Sequence, residues 1–293
     1  MTPPPLSPEH NTAILDILER CGQTARSAAN QPFEVFEKGT EDYVTTVDRA
    51  LDRTLADAFA KRFPDNGIIT EENGSSAQAF IAARDRLWFI DPIDGTEDFI
   101  NRGQHYAIMV GLWANALPKA GWIAAPAQAQ LYWGGPNWGL FQRDAQGIVT
   151  DLVPQEPRAN DPAFCRMVFG DRDQRRFGAA IAQFCPALSC YSLGSYGLKV
   201  LEVIQGRAGL YVYLNGRVKL WDTTGPLALA IAAGLTCCDL DGHPIRFDAT
   251  SVYPSSLIHQ QPILVGWPAA IAQFREPLRQ AVMTVRCQEL RDR

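Results

Sequence analysis

Two aspartates and a backbone carbonyl lie close together where an apolar segment ends. The run Leu87–Ile90 is aromatic and branched, as in a buried strand, and Asp91, Ile93 and Asp94 follow it directly. We expect the two carboxylates and the Ile93 carbonyl to face one point. Such hard oxygen ligands suit Mg²⁺, which leaves its other positions to water and to a substrate phosphate. The first hypothesis is therefore a metal-assisted phosphate site.

The chain is predicted to turn sharply within this segment. Pro92 has no amide donor and a fixed φ, while Gly95 can adopt backbone conformations closed to other residues. The alternative interpretation is an ordinary Asp-Gly turn in which both acids are solvated. Taken alone, the segment leaves both interpretations open.

Two further acidic segments favour the metal site. The strand candidate Gly67–Thr70 ends in Glu71 and Glu72, and Asp222 precedes a predicted turn at residues 223–226 and a helix from Leu227. Asp222 would then lie near the start of that helix. Two like charges at 4 Å repel each other by about 4 kcal/mol at an effective dielectric near 20, so converging carboxylates need cations or protons between them.

These segments resemble the inositol monophosphatase superfamily of Mg²⁺-dependent, lithium-sensitive phosphatases. The elements that carry the resemblance are, in chain order, Lys38 with Val44–Asp48, Glu71-Glu72, Asp91–Thr96 and Trp221-Asp222. The similarity extends from Lys38 to Phe247 and so covers most of the chain. The superfamily also includes bisphosphate nucleotidases and inositol polyphosphate phosphatases.

The resemblance implies a role for each matched residue. The expected ligands of two or three Mg²⁺ ions are Glu71, Asp91, the Ile93 carbonyl, Asp94 and Asp222, with Glu72 as a neighbour. The expected catalytic residues are Asp48, Thr96 and Glu71, with Thr96 and Asp48 orienting and deprotonating the attacking water. A helix cap for Asp48 and a turn hydroxyl for Thr96 are the alternatives. Direct in-line hydrolysis without a phosphoenzyme is implied.

The substrate is predicted less directly. Inositol monophosphatases usually carry Asn-Phe shortly after the Asp-Gly-Thr core, whereas this chain continues Glu97-Asp98-Phe99. The segments 194–199, 206–211 and 219–226 are more similar to 3'(2'),5'-bisphosphate nucleotidases, which act on 3'-phosphoadenosine 5'-phosphate. The expected substrate-binding residues are Gly95, Thr96, Gly194, Ser195, Lys199 and Lys219.

Either lysine could meet the phosphate that is not cleaved, because a second anion needs a compensating charge; both could equally be solvated. An inositol or sugar phosphatase, for example one acting on fructose 1,6-bisphosphate, is the alternative enzyme. A non-catalytic phosphate-binding regulatory protein is the third hypothesis. It has no need for the full ligand set together with Asp48 and Thr96.

Composition is typical of a soluble enzyme. The 293 residues are 46% hydrophobic and 20% charged, enough for one large core or two apposed ones. The net charge of -5 and the lack of a basic cluster argue against a nucleic-acid polymer as partner. No signal-like or membrane-spanning run is found, so we expect a cytoplasmic protein without a membrane partner. The sequence leaves a homodimer open.

The chain is predicted to consist of two halves. Residues 1–155 should form an α+β half with helices after Ser7 and around residues 47–58, a large antiparallel meander between Tyr106 and Phe141, and most metal ligands. Residues 156–293 should form an α/β half that carries Asp222 and the substrate side. The fold class is α/β (α+β), and the resemblance implies a layered helix-sheet-helix-sheet-helix sandwich.

Overall fold

The computed structural model describes residues 5–74, 78–81 and 85–291. The helices within these ranges are α1 (Pro8–Ala28), α2 (Thr46–Arg62), α3 (Gln78–Ile81), α4 (Thr96–Ile100), α5 (Asp171–Phe184), α6 (Tyr196–Ile204), α7 (Leu220–Ala232) and α8 (Pro268–Arg291). The strands of the first half are β1 (Val35–Gly39), β2 (Asp42–Thr45), β3 (Gly67–Thr70), β4 (Arg86–Asp94), β5 (Ala107–Ala114), β6 (Leu117–Ala125), β7 (Gln130–Gly135), β8 (Gly139–Arg143) and β9 (Val149–Asp151). Those of the second half are β10 (Arg166–Phe169), β11 (Ser189–Ser192), β12 (Leu210–Tyr213), β13 (Thr236–Cys238), β14 (Val252–Tyr253), β15 (Ile258–His259) and β16 (Ile263–Gly266).

The elements stack in alternating layers, which confirms the predicted fold class. A seven-stranded sheet runs in the order β3-β4-β5-β6-β7-β8-β9, antiparallel except for the parallel pair β3–β4. A five-stranded mixed sheet has the order β11-β10-β12-β16-β13. Helices α1 and α2 cover the outer face of the large sheet, α6 and α7 lie between the sheets, and α5 packs on α8 at the far side. The division into halves at residue 155 stays a prediction.

The first helix shows how the local sequence sets an element. Ser7 caps α1 by accepting a hydrogen bond from the His10 amide, and Pro8 has the fixed φ that suits a first helical position. The helix buries one apolar face, which includes Ile14, Leu18, Cys21 and Ala25. This face packs on the large sheet within the first of two cores, and the second core lies between the two sheets.

Helix α7 approaches the large sheet at three glycines. A Cβ atom at Gly121 would lie 2.1 Å from the Gly225 carbonyl oxygen, and one at Gly111 would lie 2.5 Å from the Gly225 nitrogen. The helix backbone therefore rests directly on β5 and β6. This contact fixes the height of the first turn of α7, which carries Asp222, above the sheet.

We expect Gly121→Ala to lower the free energy of unfolding by about 1 to 3 kcal/mol, because either the helix or the strand must move to admit a methyl group. Gly178→Ala in α5 is the matched control, since its Cβ would meet only a flexible glutamine side chain at 3.6 Å and Ala favours the helix. Denaturant unfolding of both variants tests the prediction. Equal stabilities would contradict the close packing of α7.

Two predicted boundaries were wrong. Strand β4 does not end at Ile90 but continues to Asp94, with a register shift between Asp91 and Asp94 that accommodates Pro92, which has no amide donor for the ladder. Helix α7 begins at Leu220, so the predicted turn at residues 223–226 is helical and Pro226 lies inside the helix. The hairpin β1–β2 was not predicted.

Two further observations concern the chain as a whole. All seven cysteines lie in the described ranges and are free. Within the described residues, no helix combines the length and the apolarity needed to cross a membrane.

Candidate active site

Three aspartates from two elements converge at one point. Asp91 and Asp94 come from the irregular end of β4, and Asp222 comes from the first turn of α7. One carboxylate oxygen from each lies within 4.8 Å of the others. The register shift in β4 matters here. Asp91 and Asp94 are three positions apart and would point to opposite faces of a regular strand.

Hydrogen bonds hold each of these carboxylates through one oxygen. Asp91 accepts from the Ile93 amide at 3.0 Å, and Asp222 accepts from the Lys219 amide at 2.7 Å as part of a capping box. Asp94 accepts from the Gly197 amide at 3.1 Å and from the Ser195 hydroxyl. The predicted substrate residue Ser195 is thus fully buried and orients an aspartate.

The electrostatics favour a cation at this point. Burial and the neighbouring charge of Glu71 raise all three pKa values. The pKa of Asp91 lies well above its usual value, that of Asp94 is about 6 and that of Asp222 is about 8. Ionising all three carboxylates is energetically unfavourable unless a positive charge lies between them. An all-oxygen donor set of this kind fits a hard divalent cation.

The structure places Glu71 beside this group. The Glu71 amide donates to the Ile90 carbonyl at 3.1 Å, which joins the end of β3 to β4. Lys38 of the β1–β2 hairpin binds Glu71 at 3.0 Å and Glu72 at 2.8 Å. Burial acts to lower the pKa of Lys38, but the Glu71 and Glu72 carboxylates outweigh it and the pKa is raised. For Glu72, burial and the Glu71 charge raise the pKa to about 7.

Thr96 and Asp48 form a hydrogen-bonded pair, as their predicted role requires. The Thr96 hydroxyl lies 3.2 Å from Asp48 Oδ1 and 3.0 Å from the Ile93 carbonyl oxygen, and it can donate its hydrogen bond to either atom. Asp48 is buried, and burial raises the pKa of its carboxyl group. The other Asp48 oxygen accepts from the Thr45 amide at 2.8 Å within the capping box of α2. Asp48 therefore stands at the third helical position and Thr45 is the N-cap.

Gly95 starts α4 with φ of +89°. A Cβ atom there would lie 2.9 Å from the His105 carbonyl oxygen and 3.0 Å from the Ser195 nitrogen, so no side chain fits. The sharp turn predicted at this glycine is present. It aims the first turn of α4, with Thr96, at the aspartates.

A cleft of about 490 Å³ opens beside these groups. Of the predicted substrate residues, Gly95, Thr96, Gly194 and Lys199 line it. Lys199 is buried, and its ammonium donates to the Gly194 carbonyl at 2.9 Å. Lys219 is not among the lining residues, because its ammonium lies 4.9 Å from the centre of the Trp221 ring.

Sequence reasoning missed much of the far side of this cleft. The lining residues that were not predicted include Glu41, Asn101, Arg172, Arg175, Tyr196, Tyr211, Tyr213 and Asn215. The two arginines lie in the first turns of α5, where the helix dipole disfavours cations. That mismatch of charge and position was the signal available in the sequence.

A second group of potential metal ligands lies in the loop after β13. Asp239, Asp241 and His243 bring one ligand atom each within 4.8 Å of the others, but Asp241 and His243 are exposed. Asp239 Oδ1 accepts from the Asp241 and His243 amides at 3.0 and 2.8 Å. Asp239 thus organises a turn.

Comparisons with known proteins agree with this geometry. Residues 9–274 match the model of the inositol monophosphatase family. Mouse inositol monophosphatase 1 is 24% identical over 246 residues, 80% of this chain and 84% of that protein. The fructose-1,6-bisphosphatase/inositol-1-monophosphatase of Aquifex aeolicus is 34% identical over 206 residues, 68% of this chain and 73% of that protein. A solved IMPase/NADP phosphatase complexed with Mg²⁺ and phosphate superposes with a TM-score of 0.72 at 20% identity, covering 94% of each chain. The chain belongs to the inositol monophosphatase family and is a phosphomonoester hydrolase.

Proposed function

We propose that this phosphatase depends on Mg²⁺ and hydrolyses a small bisphosphorylated nucleotide, with 3'-phosphoadenosine 5'-phosphate as the first candidate substrate. The observation that carries the metal dependence is the convergence of Asp91, Asp94 and Asp222. Their burial and raised pKa values leave a cation as the natural partner at neutral pH.

The ligand set for two or three ions would comprise these aspartates, Glu71 and the Ile93 carbonyl. Glu71 lies beside Asp91 through the β3–β4 pairing, and the Lys38 ammonium that now binds it would have to give way to a metal. When bound, Mg²⁺ neutralises phosphate charge and lowers the pKa of a coordinated water. The protein holds these ligands in place, and the free energy of folding offsets the repulsion between their carboxylates.

The remaining site residues would accept the proton of the attacking water and bind the phosphate oxygens. Thr96 orients the water through its hydroxyl, and Asp48, in contact with that hydroxyl, accepts the proton. The Gly95 and Thr96 amides, at the start of α4, would donate to phosphate oxygens. Burial raises the pKa of the Asp48 carboxyl group, which favours uptake of this proton.

Substrate choice is supported by sequence similarity in the 194–199 and 219–226 segments and by the size of the cleft. About 490 Å³ lies in the range of pockets that hold whole metabolites, well beyond one phosphate. The names of the relatives point to inositol phosphates, fructose 1,6-bisphosphate and NADP as the substrates of those proteins. A sugar or inositol phosphatase is therefore the second candidate. A cytoplasmic location and a homodimer stay predictions.

Phosphate release from four compounds with Mg²⁺ tests the substrate assignment. We expect kcat/KM for 3'-phosphoadenosine 5'-phosphate to exceed the values for inositol 1-phosphate, fructose 1,6-bisphosphate and NADP by at least about tenfold, a difference that one or two charge-assisted hydrogen bonds can supply. A preference for inositol 1-phosphate or fructose 1,6-bisphosphate would replace the nucleotide assignment with the second candidate. No release from any of the four would contradict the proposed function.

A further inference from the structure

We propose that Arg172 and Arg175 bind a second anionic group on the substrate's leaving group, and that the Glu41 carboxylate occupies this position when no substrate is present. The inference rests on the proposed phosphatase function and narrows its substrate class. The favoured substrates are phosphomonoesters whose leaving group carries a phosphate. Glu41 would then be an internal competitor of that phosphate.

The contacts of Glu41 define an anion position. Arg172 Nε lies 3.0 Å from Glu41 Oε2, and Arg175 Nη2 lies 3.0 Å from both Glu41 oxygens. Two guanidinium groups thus meet one carboxylate through three charge-assisted contacts. Planar guanidinium donors recognise phosphate with the same fork geometry as carboxylate.

The position lies in the same cleft as the cleaved phosphate. Glu41, Arg172 and Arg175 line the cleft together with Asp94 and Thr96. The carboxylate belongs to the β1–β2 hairpin and the guanidiniums belong to α5, so the contact crosses the opening between the two. A phosphate entering there would compete directly with Glu41.

Buried hydroxyls in the same cleft provide an independent observation. Tyr196 and Tyr211 are 3% and 0% exposed and line the cleft, and their hydroxyl oxygens have no hydrogen-bond partner among the described residues. An unpaired buried hydroxyl is costly unless a ligand satisfies it. The body of the leaving group, between the two anionic ends, is the natural partner.

The arginines are not explained by packing of α5. Their neighbour Arg176 pairs with Glu289 of α8 at 2.6 Å and so ties the two outer helices together. Arg172 and Arg175 instead face the cleft from the first turns of the helix, where the dipole opposes a positive charge. Their placement makes electrostatic sense once an anion lies between them.

The Glu41 contact can be displaced without a large cost. The Arg172, Arg175 and Glu41 side chains are 30%, 61% and 46% exposed, and ion pairs at such exposure contribute little to stability. Glu41 also has a φ of +55°, a left-handed conformation that non-glycine residues adopt only uncommonly. A phosphate of higher charge should therefore replace the carboxylate.

The test compares two substrates that differ only in the second phosphate, 3'-AMP and 3'-phosphoadenosine 5'-phosphate. For the double variant Arg172→Gln/Arg175→Gln, we expect KM for the bisphosphate to rise about 10- to 100-fold, with a much smaller change for 3'-AMP. For Glu41→Gln, we expect KM for the bisphosphate to fall about two- to fivefold, because the competitor is gone. Arg176→Gln is the matched control and should change neither value.

The opposite signs separate a binding site from a structural latch. Both variants break the contact between the hairpin and α5, so a latch alone predicts that they change KM in the same direction for both substrates, and that result would overturn the inference. Equal KM ratios in all four proteins would also overturn it while leaving the phosphatase function intact. If the wild type hydrolyses neither nucleotide, the same ratios are measured with fructose 1-phosphate and fructose 1,6-bisphosphate. Absence of phosphate release from every compound would instead contradict the proposed function.

Discussion

Asp94→Asn should abolish phosphate release while leaving the fold intact. The substitution removes the charge of one of three converging carboxylates with little change in side-chain size, and the Ser195 hydroxyl and Gly197 amide can still bind the remaining carbonyl oxygen. Loss of a ligand charge would weaken binding of the proposed metal ion. A catalytic metal supplies several kcal/mol of transition-state stabilisation, so kcat should fall by about 10³-fold or more. Phosphate release at saturating Mg²⁺ measures the loss of activity, and circular dichroism tests whether the fold is intact.

The group of potential ligands after β13 supplies the control. Asp239→Asn removes a carboxylate from the other group of potential ligands, and we expect wild-type turnover because that group lies outside the cleft. Excess chelator should abolish turnover of the wild type, and lithium, titrated at limiting Mg²⁺, should inhibit it as in the family the chain resembles. Full activity in chelator would contradict the metal hypothesis.

The convergence of the proposed metal ligands could be predicted because these residues lie at or just beyond the ends of short apolar runs. Asp91, Asp94 and Glu71 follow short apolar runs directly, and the parallel pair β3–β4 brings the ends of those runs together. Asp222 could be predicted to stand near the start of a helix, although the helix begins earlier than expected. What the sequence pattern did not show was that β4 stays paired through Asp94, because a register shift depends on the neighbouring strand β5.

The side of the cleft that carries Arg172 and Arg175 is formed by contacts between segments that are distant in sequence. Glu41 meets Arg172 across 131 positions, and neither segment carries a motif that announces the other. The expectation for Lys219 had the opposite difficulty. Its position close to Trp221-Asp222 in the sequence suggested that it could bind phosphate. In the structure its ammonium instead lies over the Trp221 ring in a cation–π contact. A positive charge near a site in sequence is thus weaker guidance than the side chain's local partners.

Asp48 makes one contact that serves the helix and another that suits its proposed catalytic role. One oxygen completes the capping box of α2 through Thr45, and the other accepts from Thr96. The geometry therefore fits both the structural and the catalytic interpretation. A substitution that keeps the cap and removes only the base can tell whether the second contact matters for the rate.

Asp48→Asn is that substitution. Its amide oxygen can still accept from the Thr45 amide, so the helix start should lose little stability, but an amide cannot take up the proton that Thr96 would pass on. We expect kcat to fall by about 10² to 10⁴-fold, the usual contribution of a general base, with KM and metal affinity nearly unchanged because the loss falls on the transition state. Thr45→Ala is the matched control, since it removes the cap side chain, including the hydroxyl that donates to Asp48 Oδ2, but keeps the Asp48 carboxylate and its contact with Thr96. It should cost about 1 kcal/mol of stability and much less of the rate. Measured kcat, KM and melting temperature for both variants decide the role: wild-type turnover in Asp48→Asn would show that the carboxylate serves only the helix.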